Sequence, residues 1–136
     1  MKLSHRITNL ETAGDDGWGV HYRARDMARA GQEAGLFAAL CAAIDPKDTV
    51  VVIDPHYATY PSTVRGAGGI FTTAIAHSEN GFQPQRAELM AATKGARCLM
   101  VNSPNNPTGA VYTRETMDMI ADVCIQNDLW LISDEV

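Results

Sequence analysis

Three short apolar runs in this chain lack the alternation of a half-exposed strand, Thr49 to Asp54 (TVVVID), Arg97 to Asn102 (RCLMVN) and Leu129 to Ser133 (LWLIS), and Ile70 to Ala76 (IFTTAIA) is a further strand. A strand apolar on both sides must be covered on both faces, which an antiparallel sheet with one wet face cannot do. The segments between these runs read as helices. Gln32 to Ile44 (QEAGLFAALCAAI) is rich in Ala and Leu and stops at Asp45-Pro46, because the residue before a proline is pushed out of helical geometry. Ser62 to Ala67 is a short helix ended by Gly68-Gly69, and Asn80-Gly81 marks a turn. Pro84 to Thr93 is a helix with proline in its first turn. Thr113 is an N-cap, with Met117, Ile120, Ala121 and Cys124 on one face of the helix that follows. Strands interleaved with helices imply an α/β architecture, with a mostly parallel sheet joined by right-handed crossovers.

A length of 136 residues suits one compact domain better than two. The formal charge of −5 and the scattered basic residues argue against a nucleic-acid partner. Cys41, Cys98 and Cys124 are odd in number and form no CxxC pair, so they read as small core residues, neither a disulfide framework nor a zinc site. His5, His21, His56 and His77 lie far apart, and no metal-ligand spacing occurs. The N-terminus lacks the apolar run of a signal peptide and no stretch approaches a membrane span, so the expectation is a cytoplasmic protein with no membrane partner.

Ligands of open parallel sheets sit at the carboxyl ends of the strands, and three polar clusters follow strand ends here. Asn102 to Gly109 (NSPNNPTG) is a rigid loop with side-chain amides, although Asn, Pro and Gly also build plain turns. Asp134 ends the last strand, where a lone Asp commonly stays solvated. Asp54 to Pro61 (DPHYATYP) offers Tyr57, which equally suits an aromatic anchoring its loop, and His56, which reads as a surface residue. Gly31-Gln32-Glu33 opens the first helix of the alternating region, and a helix N-terminus presents free N–H groups that suit a phosphate.

NSPNNPTGAVY, followed by a helix and LWLISDEV, resembles the fold-type I pyridoxal-phosphate enzymes of the aspartate aminotransferase type. The resemblance runs from Gly31 to Val136 and implies part of a three-layer α/β/α large domain of that transferase fold, truncated. It implies pyridoxal 5'-phosphate as cofactor, an amino acid and a 2-oxo acid as substrates, and a homodimer. By resemblance, Asn106 bonds the cofactor's phenolic oxygen and precedes a cis proline. Asp134 pairs with the pyridine nitrogen, Tyr57 stacks on the ring, and Gly31, Gln32 and Glu33 hold the phosphate. Glu135 is structural or solvated.

The chain departs from the family pattern in two places. Residues 1–30, an N-terminal arm with a short charged helix (Tyr22 to Ala30), run directly into Gly31, as if joined across a deletion. Lys2, Lys47 and Lys94 lie in no SxSK-type motif, so no catalytic residue is assigned: the Schiff-base lysine of the family is absent from this chain. The expectation is therefore a fragment of an aminotransferase, inactive by itself. The alternatives are a C–S β-lyase of the same fold and a non-catalytic interaction or regulatory fragment.

Overall fold

The computed structural model describes residues 32–135. Four parallel strands form one sheet: β1 (Thr49–Asp54), β2 (Ile70–Ile75), β3 (Cys98–Asn102) and β4 (Trp130–Asp134). Their order across the sheet is β2-β1-β3-β4. Four α-helices connect or precede them: α1 (Gln32–Ala43), α2 (Tyr60–Gly66), α3 (Arg86–Ala92) and α4 (Arg114–Gln126). The N-terminal arm expected over residues 1–30 lies outside the described residues.

Successive residues of a strand face opposite sides of the sheet, and the core divides accordingly. Val50, Val52, Cys98 and Met100 pack with Leu40, Ile44, Tyr60 and Val64 of the α1–α2 side. Val51, Ile53, Leu99 and Val101 pack with Leu89, Ile120, Val123 and Cys124 of the α3–α4 side. The arrangement is the α/β/α sandwich expected from the unalternating runs. Handedness explains which helix goes where. The chain steps from β1 to β2 in one direction and from β2 through β3 to β4 in the other, and right-handed crossovers place the two sets of helices on opposite faces.

The strands differ in how completely they are covered. β3 is buried throughout and β1 at all but its ends, as the sequence implied. β2 and β4 are the outer strands: Ile70 and Ile75 are each 52% exposed, and β4 is only half-buried along most of its length. The expectation of a fully buried last strand fails because the described sheet covers β4 from one side only. Smaller differences are local. Helix α2 begins at Tyr60, with Pro61 in its first turn, two residues before the expected start. Pro84 precedes the Gln85 N-cap of α3 and is not in the first turn. Thr113 caps α4 as expected, its hydroxyl accepting from the Thr116 N–H, but Ala121 is exposed and Thr116 and Val123 take its place on the buried face.

At the amino edge of the sheet, every strand is preceded by one left-handed residue: Lys47, Gly68, Gly95 and Asp128. The turns there are stitched main chain to main chain, by Lys47 N–H to Gly68 O (2.8 Å), Ile70 N–H to Asp48 O (2.8 Å), Arg97 N–H to Thr49 O (2.9 Å) and Trp130 N–H to Arg97 O (3.0 Å). Gly69 is required for space: a Cβ there would stand 2.8 Å from Ile44 Cδ1.

Candidate active site

The direction of travel through the sheet reverses between β1 and β3, so the loops leaving these neighbouring strands diverge to opposite faces. That switch point at the carboxyl edge, where a crevice is expected between the diverging loops, is the usual ligand position in such sheets. The loop after β1 begins with a cis Asp54–Pro55 bond, and that after β3 contains cis Ser103–Pro104 and Asn106–Pro107 bonds. The last is the one implied by family resemblance.

Three of the expected site residues are delivered to this edge: Tyr57 after β1, Asn106 after β3 and Asp134 at the end of β4. They arrive in different states. Asp134 is buried, 7% exposed, and its Oδ2 accepts a 2.6 Å hydrogen bond from the Tyr60 hydroxyl. That length belongs to the short, strong class of O–H···O contacts made by carboxylates. Burial first, and then the Asp134 carboxylate beside it, hold the Tyr60 phenol far above its ordinary range, so Tyr60 remains a donor. Tyr57 is half-buried, its ring edge-on to that of Tyr60 at 5.7 Å. Asn106 is exposed, and its side-chain amide makes no hydrogen bond to the described residues.

The other asparagines of the loop are occupied. Asn105, 6% exposed, donates through Nδ2 to Pro55 O (3.0 Å), while its Oδ1 accepts from the Thr108 hydroxyl (2.6 Å) and Thr108 N–H (3.2 Å). It thereby ties the β3 loop to the β1 loop across the crevice. Asn102 ends β3 in register with Asp134. Its Oδ1 accepts from Asn106 N–H (2.7 Å) and its Nδ2 donates to Asp134 O (3.1 Å). Ser103 N–H reaches the same carbonyl at 3.1 Å, and the Ser103 hydroxyl accepts from Tyr112 N–H at 2.9 Å.

His56 differs from its sequence reading as a surface residue. Its side chain is 18% exposed, its ring stands edge-on to Phe71 at 5.2 Å, and Nδ1 lies 2.9 Å from Tyr57 O, so it braces the Tyr57 loop. Glu135 is exposed and accepts from the Ser133 hydroxyl. Gln32 and Glu33 are the first two residues of α1, whose last residue, Ala43, leads into the turn before β1. Gly31 lies outside the described residues. Lys47 and Lys94 both belong to turns at the opposite, amino edge. Among the described residues no group of His, Cys, Asp and Glu could hold a metal, and no helix is long and apolar enough to cross a membrane.

Sequence reasoning missed Tyr60, Asn102 and Asn105. Asn102 carried a usable signal, since a polar residue ending a fully buried strand must find partners. Tyr60 carried none, because its partner is 74 residues away.

Residues 27–136 match the family model described as aminotransferase class I and II. Over 107 residues the chain is 40% identical to an aspartate/prephenate aminotransferase of Thermus thermophilus, covering 78% of this chain and 28% of that protein. It is 39% identical over 108 residues to an arginine–pyruvate transaminase of Pseudomonas aeruginosa, covering 79% and 28%. A solved Thermus thermophilus aspartate aminotransferase with maleate superposes at a TM-score of 0.73 and 40% identity, over 77% of this chain and 28% of that one. The chain thus spans little more than a quarter of the length of these relatives.

Proposed function

Because this chain belongs to the class I and II aminotransferases, we propose that its carboxyl-edge crevice holds pyridoxal phosphate, and that the protein it represents moves an amino group between an amino acid and a 2-oxo acid. The observation that carries this reading is a pairing of opposites on neighbouring strands. β4 supplies a buried carboxylate, Asp134, and the β3 loop supplies an exposed amide, Asn106, with its hydrogen-bonding capacity unspent. A flat heterocycle with a basic nitrogen on one edge and a phenolic oxygen on another fits that donor and acceptor set.

When bound, the group acts as an electron sink for the substrate carbon that loses its proton. The chain's own residues hold the sink in its electron-poor form. Asp134, shielded from water, keeps a proton on the ring nitrogen, as an opposite charge close by favours the charged form. Tyr60 holds the Asp134 carboxylate in one rotamer. Asn106 donates from Nδ2 to the phenolic oxygen, and Tyr57 covers one face of the ring. Gln32 and Glu33 at the start of α1, with Gly31 before them in the sequence, would hold the phosphate through main-chain N–H groups.

The two lysines among the described residues stand at the far edge of the sheet, so the lysine that exchanges the amino group lies outside residues 32–135. Relatives named for transamination of aspartate, prephenate, arginine and pyruvate support transfer over C–S β-elimination. The substrates and a homodimeric assembly are part of the same proposal. Three unpaired thiols, two of them buried, suit a reducing compartment such as the cytoplasm.

Titration of the chain with pyridoxal phosphate, followed by tryptophan quenching, tests the site. Saturable binding is expected, weakened about 10- to 100-fold by Asp134→Ala and about tenfold by Asn106→Ala, the range for lost bonds to charged and neutral groups. Borohydride treatment should leave Lys47 and Lys94 unlabelled. Equal binding by both variants, or a label on either lysine, would remove the proposal.

A further inference from the structure

Asn102 is the last residue of a fully buried strand, and both halves of its side chain are spent on main-chain groups of two other residues. Those residues are Asn106 and Asp134, the two that meet opposite edges of the ring in the reading above. We infer that Asn102 is a positioning residue that sets the width of the cofactor cleft, by fixing the Asn106 backbone to the Asp134 backbone through one rigid amide. The inference rests on that reading for its consequence, but not for its geometry.

The physical argument is one of stiffness. An amide holds its oxygen and nitrogen in a fixed plane, so a buried Asn with both ends bonded is a strut of constant length. Its oxygen anchors the β3 loop one residue before the cis Asn106–Pro107 bond, and its nitrogen anchors the carbonyl of the residue that carries the carboxylate. Ser103 N–H, on the same carbonyl, keeps β3 and β4 in register, but it touches nothing on Asn106. The Asn102 side chain bonds both. Displacement of a binding group by about 1 Å is enough to spoil alignment, so loss of the strut costs affinity without removing any group that touches the cofactor.

Asn102→Ala removes both bonds. Asn102→Asp keeps the acceptor for Asn106 N–H and loses the donor to Asp134 O. In the cofactor-free chain, Asn102→Ala is expected to speed amide exchange at Asn106 at least about tenfold, while Leu99 to Val101 stay protected; Asn102→Asp leaves Asn106 protected. With pyridoxal phosphate, both variants weaken binding about tenfold. Asn106→Ala made in the Asn102→Ala background costs less than it does alone, the non-additivity of coupled groups. Thr93→Val, which deletes a buried hydroxyl bonded to Leu89 O in the α3 region, controls for general destabilisation and should leave affinity unchanged. Should Asn102→Ala fail to fold, Asn102→Asp carries the affinity comparison, since it loses the bond to Asp134 O, and unchanged affinity in that variant overturns the inference.

Unchanged Asn106 exchange in Asn102→Ala overturns the inference whatever the cofactor does. Additive affinity losses, or a Thr93→Val loss equal to that of Asn102→Ala, overturn it as well. Absence of binding by the unaltered chain would instead strike the functional reading, and leave the strut to be judged by exchange alone.

Discussion

The two ends of the one sheet are built by different means. At the amino edge, four left-handed residues turn the chain into four strands, and main-chain bonds close the turns. Side chains join in at two points, where Asn127 Nδ2 donates to Thr93 Oγ1 (3.3 Å) and Val123 O (3.1 Å), and where Asp48 Oδ2 accepts from Asp45 N–H (2.8 Å), but at the four left-handed positions Lys, Gly, Gly and Asp serve the same geometric purpose. At the carboxyl edge, main-chain bonds such as Ser103 N–H to Asp134 O (3.1 Å) and Ala76 N–H to Asp54 O (2.7 Å) are joined by a larger set of closures through side chains. Asn102, Asn105 and Tyr60 each bond a group on another loop or strand, and Ser103 and Thr108 brace the loop after β3 from within. An edge held by main chain tolerates substitution, whereas one held by buried side chains is specified residue by residue. The lesson is that the second edge is where a ligand can be read.

Asn105→Ala should have the largest effect on stability. It strands the half-buried Pro55 carbonyl and Thr108 N–H and hydroxyl, each near the lower end of the about 1–3 kcal/mol for a buried group left unmade. A net loss of about 3 kcal/mol by urea titration is expected. A loss below about 1 kcal/mol would mean that the carboxyl edge too is held mainly by main chain.

A smaller effect comes from Cys98, the first residue of β3 and buried at the amino end. Burial pushes its thiol up from 9.0 to about 12. The folded chain therefore keeps a proton that the unfolded chain releases, so this contribution is intact below pH 9 and is lost as pH rises from 9 toward 12. Between pH 8 and 10 the loss is about 1 kcal/mol. Cys98→Ala, less stable at pH 8 through its cavity, should fall less steeply over the same interval; an identical slope would assign the alkaline loss to other groups.

The smallest effect has the opposite sign. Lys47 sits at φ 77 with an exposed side chain, so Lys47→Gly relieves left-handed strain and should stabilise by about 0.5–1 kcal/mol, after glycine's entropic cost is subtracted. Thermal unfolding measures it. Destabilisation would show that the Lys47 side chain matters at a position that geometry alone was expected to fix.

Much of this was legible in the residues. Strand β1 spans the expected TVVVID, β3 begins one residue inside the expected run, and Thr113 caps α4, because buried strands and capped helices are local patterns in composition and spacing. Proximity of Tyr57, Asn106 and Asp134 to one edge followed from their positions after strand ends, once the sheet was read as parallel. Their contact with a cofactor stays a proposal with its test. What the sequence could not distinguish was which asparagine does what. Asn102, Asn105 and Asn106 are chemically alike within five residues, and only burial separates two spent struts from one open amide. Nor did any local pattern join Tyr60 to Asp134, or show that among the described residues β4 has a neighbour on one side only. The order of elements is written in short-range periodicity. The pairing of polar groups is decided when distant segments close on each other and each buried donor must find an acceptor.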